Sequence, residues 1–201
     1  MAESRLLKEL GSLEEDQIVL IVVKATDYLK VNLEILSYLV KKKSNECVYV
    51  TLNRPYENLV ALFEKNGIDP KKFYFIDTIS ATTGAKTSER ANVSFIASPH
   101  GLTEISISLN KAIDALKGEN KFLFFDSIST LLVYNQAGTV TKFAHFLIGK
   151  MRTLRLKGIF ISLEKETEEH LINQMCQFVD KVINLEELKQ EAVEKGTGKR
   201  I

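Results

Sequence analysis

The chain has 201 residues, 45% of them apolar and 26% charged, with a formal net charge of +1. That length and apolar content suit one globular domain with a sizeable core, and so even a charge balance gives no electrostatic reason to expect nucleic acid or a membrane surface as partner. The longest apolar runs are strand-sized, far short of the ~20 residues a spanning helix needs, and the two cysteines, Cys47 and Cys176, form neither a disulfide framework nor a metal-ligand spacing.

The first ten residues are amphipathic and charged and lack a secretory apolar region, so a cytosolic setting is expected. The first strand is Ile18–Val23, followed by a helix over 28–42. In that helix Leu29, Leu33, Leu36 and Val40 form one stripe, widened by Val31, Ile35 and Leu39. Lys41-Lys42-Lys43 closes it, as suits a helix C-terminus. The second strand is Cys47–Leu52. A turn at Asn53-Arg54-Pro55 starts a helix that runs to about Asn66 and stops at Gly67, a glycine in the C′ position. Phe73–Asp77 is the third strand.

Residues 78–101 then form a connection rich in Ser, Thr and Ala, with Ser94–Ala97 as a short extended piece. Connections of that length usually carry function, so a specific interaction is expected there. Thr103 reads as the N-cap of a helix to about Lys117. The fourth long strand ends at Asp126, and a polar loop containing Gly138 leads to a helix over about Thr139–Leu156. Gly158–Leu163 is a strand, Glu166–Gln177 a helix and Phe178–Leu185 a final strand. The charged tail after Glu186 begins as helix and frays.

Strands alternating with helices predict a parallel α/β sheet with right-handed crossovers. The fully apolar strands 18–23 and 122–125 read as central and covered on both faces. Ligands of such sheets bind beyond the carboxyl ends of the strands. The informative positions are therefore those just after Val23, Leu52, Asp77, Asp126 and Leu163. Among these, Phe-Phe-Asp126-Ser127-Ile-Ser129 delivers a carboxylate and a hydroxyl to the sheet edge. The three histidines, His100, His145 and His170, are scattered and pair with no metal or nucleophile partner.

The order of several phrases resembles the RecA/KaiC-like branch of P-loop ATPases over about residues 15–185. Phe-Phe-Asp126-Ser127-Ile-Ser is similar to that family's second nucleotide motif, where the Asp holds magnesium. Val48-Tyr-Val-Thr-Leu52, Ser98-Pro-His-Gly-Leu-Thr-Glu-Ile-Ser-Ile107 and Phe178-Val-Asp180-Lys-Val-Ile183 resemble its second strand, a Ser-Pro…Leu-Thr-Glu phrase and a late strand. The resemblance implies a three-layer RecA-like fold, with a central, mostly parallel sheet flanked by helices. It implies a single domain over residues 1–190 and a charged, flexible tail over 191–201.

The family's phosphate loop, placed after Val23, sets its first glycine on Lys24, its last on Leu29, its lysine on Lys30 and its magnesium-binding hydroxyl on Val31. Only the lysine is retained. The loop works by curling backbone N–H groups around phosphates, and a branched Leu adopts the left-handed conformation only at about 1–2 kcal/mol. The acidic residues that activate water after the family's second strand correspond to Asn53 and Arg54, neither a general base; such a base contributes about 10²–10⁴-fold to rate.

The resemblance with these departures leads to a non-hydrolysing RecA/KaiC-like domain, a degenerate ATPase. It is expected to act as a regulatory or assembly module through a protein partner or as a homo-oligomer. A second expectation is nucleotide binding without hydrolysis, with ATP or ADP held by Lys30, Asp126 and Ser127. A third is recombinase-like DNA association, against which the near-neutral charge counts. Plainer readings accompany each residue: Lys30 as an exposed helix lysine, and Asp126 as a carboxylate capping backbone N–H groups. Lys150, Arg152, Arg155 and Lys157 read first as complements to a helix end. Thr83-Gly84-Ala85-Lys86-Thr87 superficially suggests a phosphate loop but lacks the adjacent Gly-Lys pair, and is read as a loop.

Overall fold

Alternating apolar strands and amphipathic helices build three layers. The computed structural model of the chain describes residues 2–14, 16–42, 45–85, 87–88, 90–164 and 169–190. In chain order the elements are α1 (Ala2–Gly11), β1 (Ile18–Val23), α2 (Tyr28–Ser37, continued by a wider turn over Tyr38–Lys42), β2 (Glu46–Thr51), α3 (Tyr56–Lys65), β3 (Phe73–Asp77) and β4 (Val93–Phe95). They continue with α4 (Leu102–Ala115), β5 (Lys121–Asp126), α5 (Leu131–Tyr134), α6 (Ala137–Thr153), β6 (Lys157–Leu163), α7 (Glu169–Met175) and β7 (Lys181–Asn184). Residues 185–190 are helical.

The strands form one parallel sheet in the order β4-β3-β2-β5-β6-β1-β7. β5 is central, as expected. β1 is not: it lies second from the edge, between β6 and β7. It is nevertheless fully apolar because helices cover it from both sides, and all six of its residues are buried.

Alternation along the strands sorts the core into two halves. On one face Leu20, Val50, Leu123, Phe125 and Phe160 pack under α4, α6 and α7. On the other, Ile21, Tyr49, Phe75, Phe124 and Ile161 pack under α1, α2 and α3. Burial of this much apolar surface is the principal stabilising term.

Several boundaries differ from the sequence expectation for identifiable reasons. α1 was not anticipated as part of the core, yet Leu6 and Leu10 are buried against the sheet. α4 starts at Leu102 with Gly101 as N-cap, not Thr103; a Cβ at Gly101 would stand 3.1 Å from the Ser98 carbonyl oxygen. The stretch after Asp126 is not a polar loop. It forms a 3₁₀ turn over Ile128–Thr130 and then α5, burying Ile128 and Leu131, and Gly138 lies inside α6. Gly67 ends α3 as expected, at φ 64°, with the Ile68 N–H on the Phe63 carbonyl at 2.8 Å. The expected start of a helix at Glu166, Lys86 of the 83–87 loop, Lys43 and the 191–201 tail lie outside the described residues. Among the described residues no helix is long and apolar enough to cross a membrane.

Candidate functional site

Strand register lays out the carboxyl edge. Thr51 of β2 pairs with Asp126 of β5 on one side and with Asp77 of β3 on the other. Alternation puts Asp126 on the face of Phe122 and Phe124, under α2, and Asp77 on that of Phe73 and Phe75.

Asp126 is 2% exposed. One carboxylate oxygen accepts the Tyr28 hydroxyl and the other the Tyr49 hydroxyl. Tyr49 stands on β2 with its ring stacked on Phe124, centroids 5.3 Å apart; Tyr28 opens α2. The network continues outward. Asn53 Nδ2 donates to the Tyr28 hydroxyl at 2.8 Å, and Thr130 Oγ1 donates to Asn53 Oδ1 at 3.0 Å. Thr130 has then used its only proton, so the Ser127 hydroxyl, 2.7 Å away, donates to it. Ser129 Oγ accepts the Leu163 N–H at 3.1 Å and lies 3.2 Å from Ser127 Oγ. A chain of hydrogen bonds thus ties α2 to the ends of β2, β5 and β6. The Asp126–Ser127 peptide is cis.

Burial pushes the Asp126 carboxyl above the ordinary carboxylate range, against the opposing pull of its hydroxyl and amide donors, Tyr28 and Tyr49 first. Burial, and then the Asp126 charge, raises both tyrosine hydroxyls. Both phenols therefore stay protonated and donate. The arrangement is a saturated buried acid. The cavity beside it, between α2, α3, Tyr49 and Asp126, measures about 10 Å³. That is water-sized; small-molecule pockets run to roughly 300–1,000 Å³. The Asn32 side-chain oxygen in its wall is buried without a hydrogen-bond partner.

The β1–α2 connection is short. Residues 24–27 form a turn in which the N–H groups of Asp27 and Tyr28 both point at the Lys24 carbonyl, at 3.0 and 3.1 Å. Positive φ among the described residues occurs only at Gly67, Gly84 and Arg155, so none falls in this turn. Asp27 is the N-cap residue of α2. Its carboxylate receives Lys189 Nζ at 2.5 Å, Lys189 also reaches Glu186 at 2.7 Å, and Lys24 reaches Glu186 at 2.6 Å. Hydrogen bonding from Lys189, then Lys24, holds the Glu186 carboxyl below its ordinary value. Hydrogen bonds to Asp27 and then to Glu186 raise Lys189, and the hydrogen bond to Glu186 raises Lys24.

Among the residues singled out from sequence, Asp126 and Ser127 adjoin at the end of β5, both buried. Lys30 is exposed, and two residues along a helix turns it about 200° from Tyr28. Tyr28 and Asn32, one turn apart, are the α2 side chains that face Asp126. Val31 is buried in the core. Asn53 is exposed and bridges Tyr28 to Thr130. At the end of β3 it is Asp77 that caps backbone N–H groups, accepting from Tyr56, Ile79 and Ser80 N–H and from the Ser80 hydroxyl. It fastens the start of the 78–101 connection. Lys150 donates to the Ser106 carbonyl, Arg152 to Asp180 and the Phe178 carbonyl, and Lys157 to the Leu13 carbonyl. Tyr28, Tyr49 and Thr130 were not singled out; only the shared parity of Tyr49, Phe124 and Asp126 could have suggested Tyr49.

The model of a family of unknown function, DUF7504, matches residues 29–185. No curated protein matches the chain in sequence. Among solved structures, the uncharacterized protein PH0321 from Pyrococcus horikoshii, crystallised in complex with an unknown peptide, is similar at TM-score 0.69 and 12% identity, over 90% of this chain and 82% of that one. The KaiC-like protein PH0186 from Pyrococcus horikoshii OT3 is similar at TM-score 0.56 and 13% identity, over 77% of this chain and 64% of that one. The fold is therefore RecA/KaiC-like.

Proposed function

The chain belongs to DUF7504, a family of unknown function, and we propose that it is a RecA/KaiC-like domain that does not hydrolyse nucleotide and works through protein contacts, as a regulatory or assembly module. The observation that carries this reading is the closure of Asp126 by Tyr28 and Tyr49. In an ATPase of this fold that carboxylate must reach magnesium. Here both its oxygens are taken by hydroxyls in a space that holds little more than a water.

The residues present do not fit a magnesium–nucleotide. A helix N-terminus attracts phosphate through its free N–H groups and its dipole. At α2 that position carries the Asp27 carboxylate, ion-paired with Lys189, and two of the turn's N–H groups are spent on the Lys24 carbonyl. Val31 offers no oxygen to a metal. These features support a degenerate phosphate loop, and Asn53, engaged with Tyr28 and Thr130, supports the loss of water activation. The peptide bound to PH0321 is in keeping with a fold used for protein contacts.

The test is a thermal-shift titration with ATP and ADP in magnesium, run beside a phosphate-release assay. Neither stabilisation at millimolar nucleotide nor turnover is expected. Magnesium-dependent turnover abolished by Asp126→Ala would sink the reading. Stabilisation without turnover, lost in Lys30→Ala, would replace it with nucleotide binding by Lys30, Asp126 and Ser127. Light scattering on the purified chain, alone and with candidate partners, tests the protein-contact half; a monomer that binds none of them counts against it.

A further inference from the structure

At the opposite edge of the sheet lies a larger opening. A cavity of about 220 Å³ is framed by Asn45, Glu119, Asn120, Lys121, Arg155 and Lys157, over a floor of buried leucines. It sits at the amino end of β5, roughly 16 Å along that strand from Asp126 at ~3.3 Å per residue. We propose that this cavity is a binding site for a small oxyanion, a carboxylate or a phosphate, gripped by the Arg155 guanidinium with Lys121 beside it.

Three observations support it. Among the described residues the charged lining is three cations, of which Lys157 donates to the Leu13 carbonyl, against one carboxylate. The helix-end carbonyls beside Arg155 are answered by backbone: the Arg155 and Leu156 N–H groups donate to the Arg152 and Met151 carbonyls, at 3.1 and 3.0 Å. Lys121 Nζ donates once, to the Ile113 carbonyl at 2.9 Å, and an ammonium has two further protons. The third observation is backbone strain. Arg155 has φ 49°, the left-handed conformation at the position after a helix where glycine is usual. A non-glycine residue held there directs attention to its side chain. The Arg155 guanidinium makes no hydrogen bond or ion pair among the described residues, and its planar fork matches both oxygens of a carboxylate or two of a phosphate.

Helix C-termini at this edge favour cations and oppose an anion, so the fork must outweigh them; affinity then rests on Arg155 more than on the edge as a whole. The test uses inorganic phosphate and citrate as separate probes against chloride at matched ionic strength, followed by amide NMR shifts in the full chain. The expected result is saturable perturbation confined to residues near 119–121 and 155–157, with affinity weakened about tenfold or more in Arg155→Gly. Glycine suits the backbone there, so this variant should fold and melt no lower than wild type. Arg155→Gln, which keeps a shorter polar side chain without the charge, should lose binding equally. Response to citrate alone assigns a carboxylate site, and to phosphate alone a phosphate site. No localised shift with either probe at millimolar concentration, or an affinity in both variants equal to that of wild type, overturns the proposal.

Discussion

At Asp126 the cost of burying a charge is set against two phenolic donors. Burial holds the folded carboxyl above its unfolded value, so the folded state binds that proton more readily than the unfolded chain. The resulting contribution to stability is complete below about pH 4, the ordinary carboxylate value, and is lost as pH rises through the folded value. Asp126→Asn lacks this titration. The stability difference between wild type and Asp126→Asn should therefore move in favour of wild type on acidification from neutrality, measured by urea denaturation at a series of pH values; a difference independent of pH would contradict it. Tyr28→Phe removes one donor from the charged acceptor and should cost about 1–3 kcal/mol at neutral pH. The cost should shrink on acidification, as the carboxylate it serves is protonated.

Among the elements, helix ends and one unforeseen helix decide the energetics. Gly67 and Arg155 occupy the same left-handed position after α3 and α6, so they make a matched pair. Gly67→Ala should lower stability by about 1 kcal/mol. Arg155→Gly should raise it by up to about 1 kcal/mol, relief of strain being partly offset by the freer unfolded chain. Both are read from denaturant midpoints at unchanged m-value. α1 lies over the α2 face of the sheet through Leu6 and Leu10, each 1% exposed. Leu10→Ala should cost about 2–5 kcal/mol, which would establish α1 as part of the domain rather than an appendage; a negligible change would argue that it docks weakly.

Over the whole molecule, three layers and a switch in strand order set where a ligand can sit. β1 and β5 are separated by β6, so the turn after β1 and the carboxylate after β5 flank one crevice at the carboxyl edge. In this chain Tyr28 reaches across it, and residues 185–190 close its outer side through Glu186 and Lys189. A RecA/KaiC-like frame is thus combined with a filled crevice. On the proposed reading, Tyr28→Ala should enlarge the 10 Å³ space without conferring ATP turnover, because Asp27 and Val31 remain; turnover in that variant, absent from wild type, would mean that Tyr28 alone blocks an otherwise competent site.

Much of this was legible in the sequence. Apolar strands, amphipathic helices and Gly67 depend on side-chain period and local backbone freedom, which nearest neighbours in the chain decide. The α/β class and the place of Asp126 at a strand end followed from them, and the absence of glycine from residues 24–29 was visible directly. Other features rested on distant parts of the chain. The outer place of β1 depends on which strands pair, and period does not encode pairing. The phenolic seal joins Tyr28, Tyr49 and Asp126 across 98 and 77 residues. The burial of Asn32 depends on how α2 rotates over the sheet, and the sheet-edge cavity at Arg155 on five separate segments meeting. Sequence fixes what each residue can do locally; only packing decides which distant residues share a dielectric, and with it which charges are sealed and which stay open.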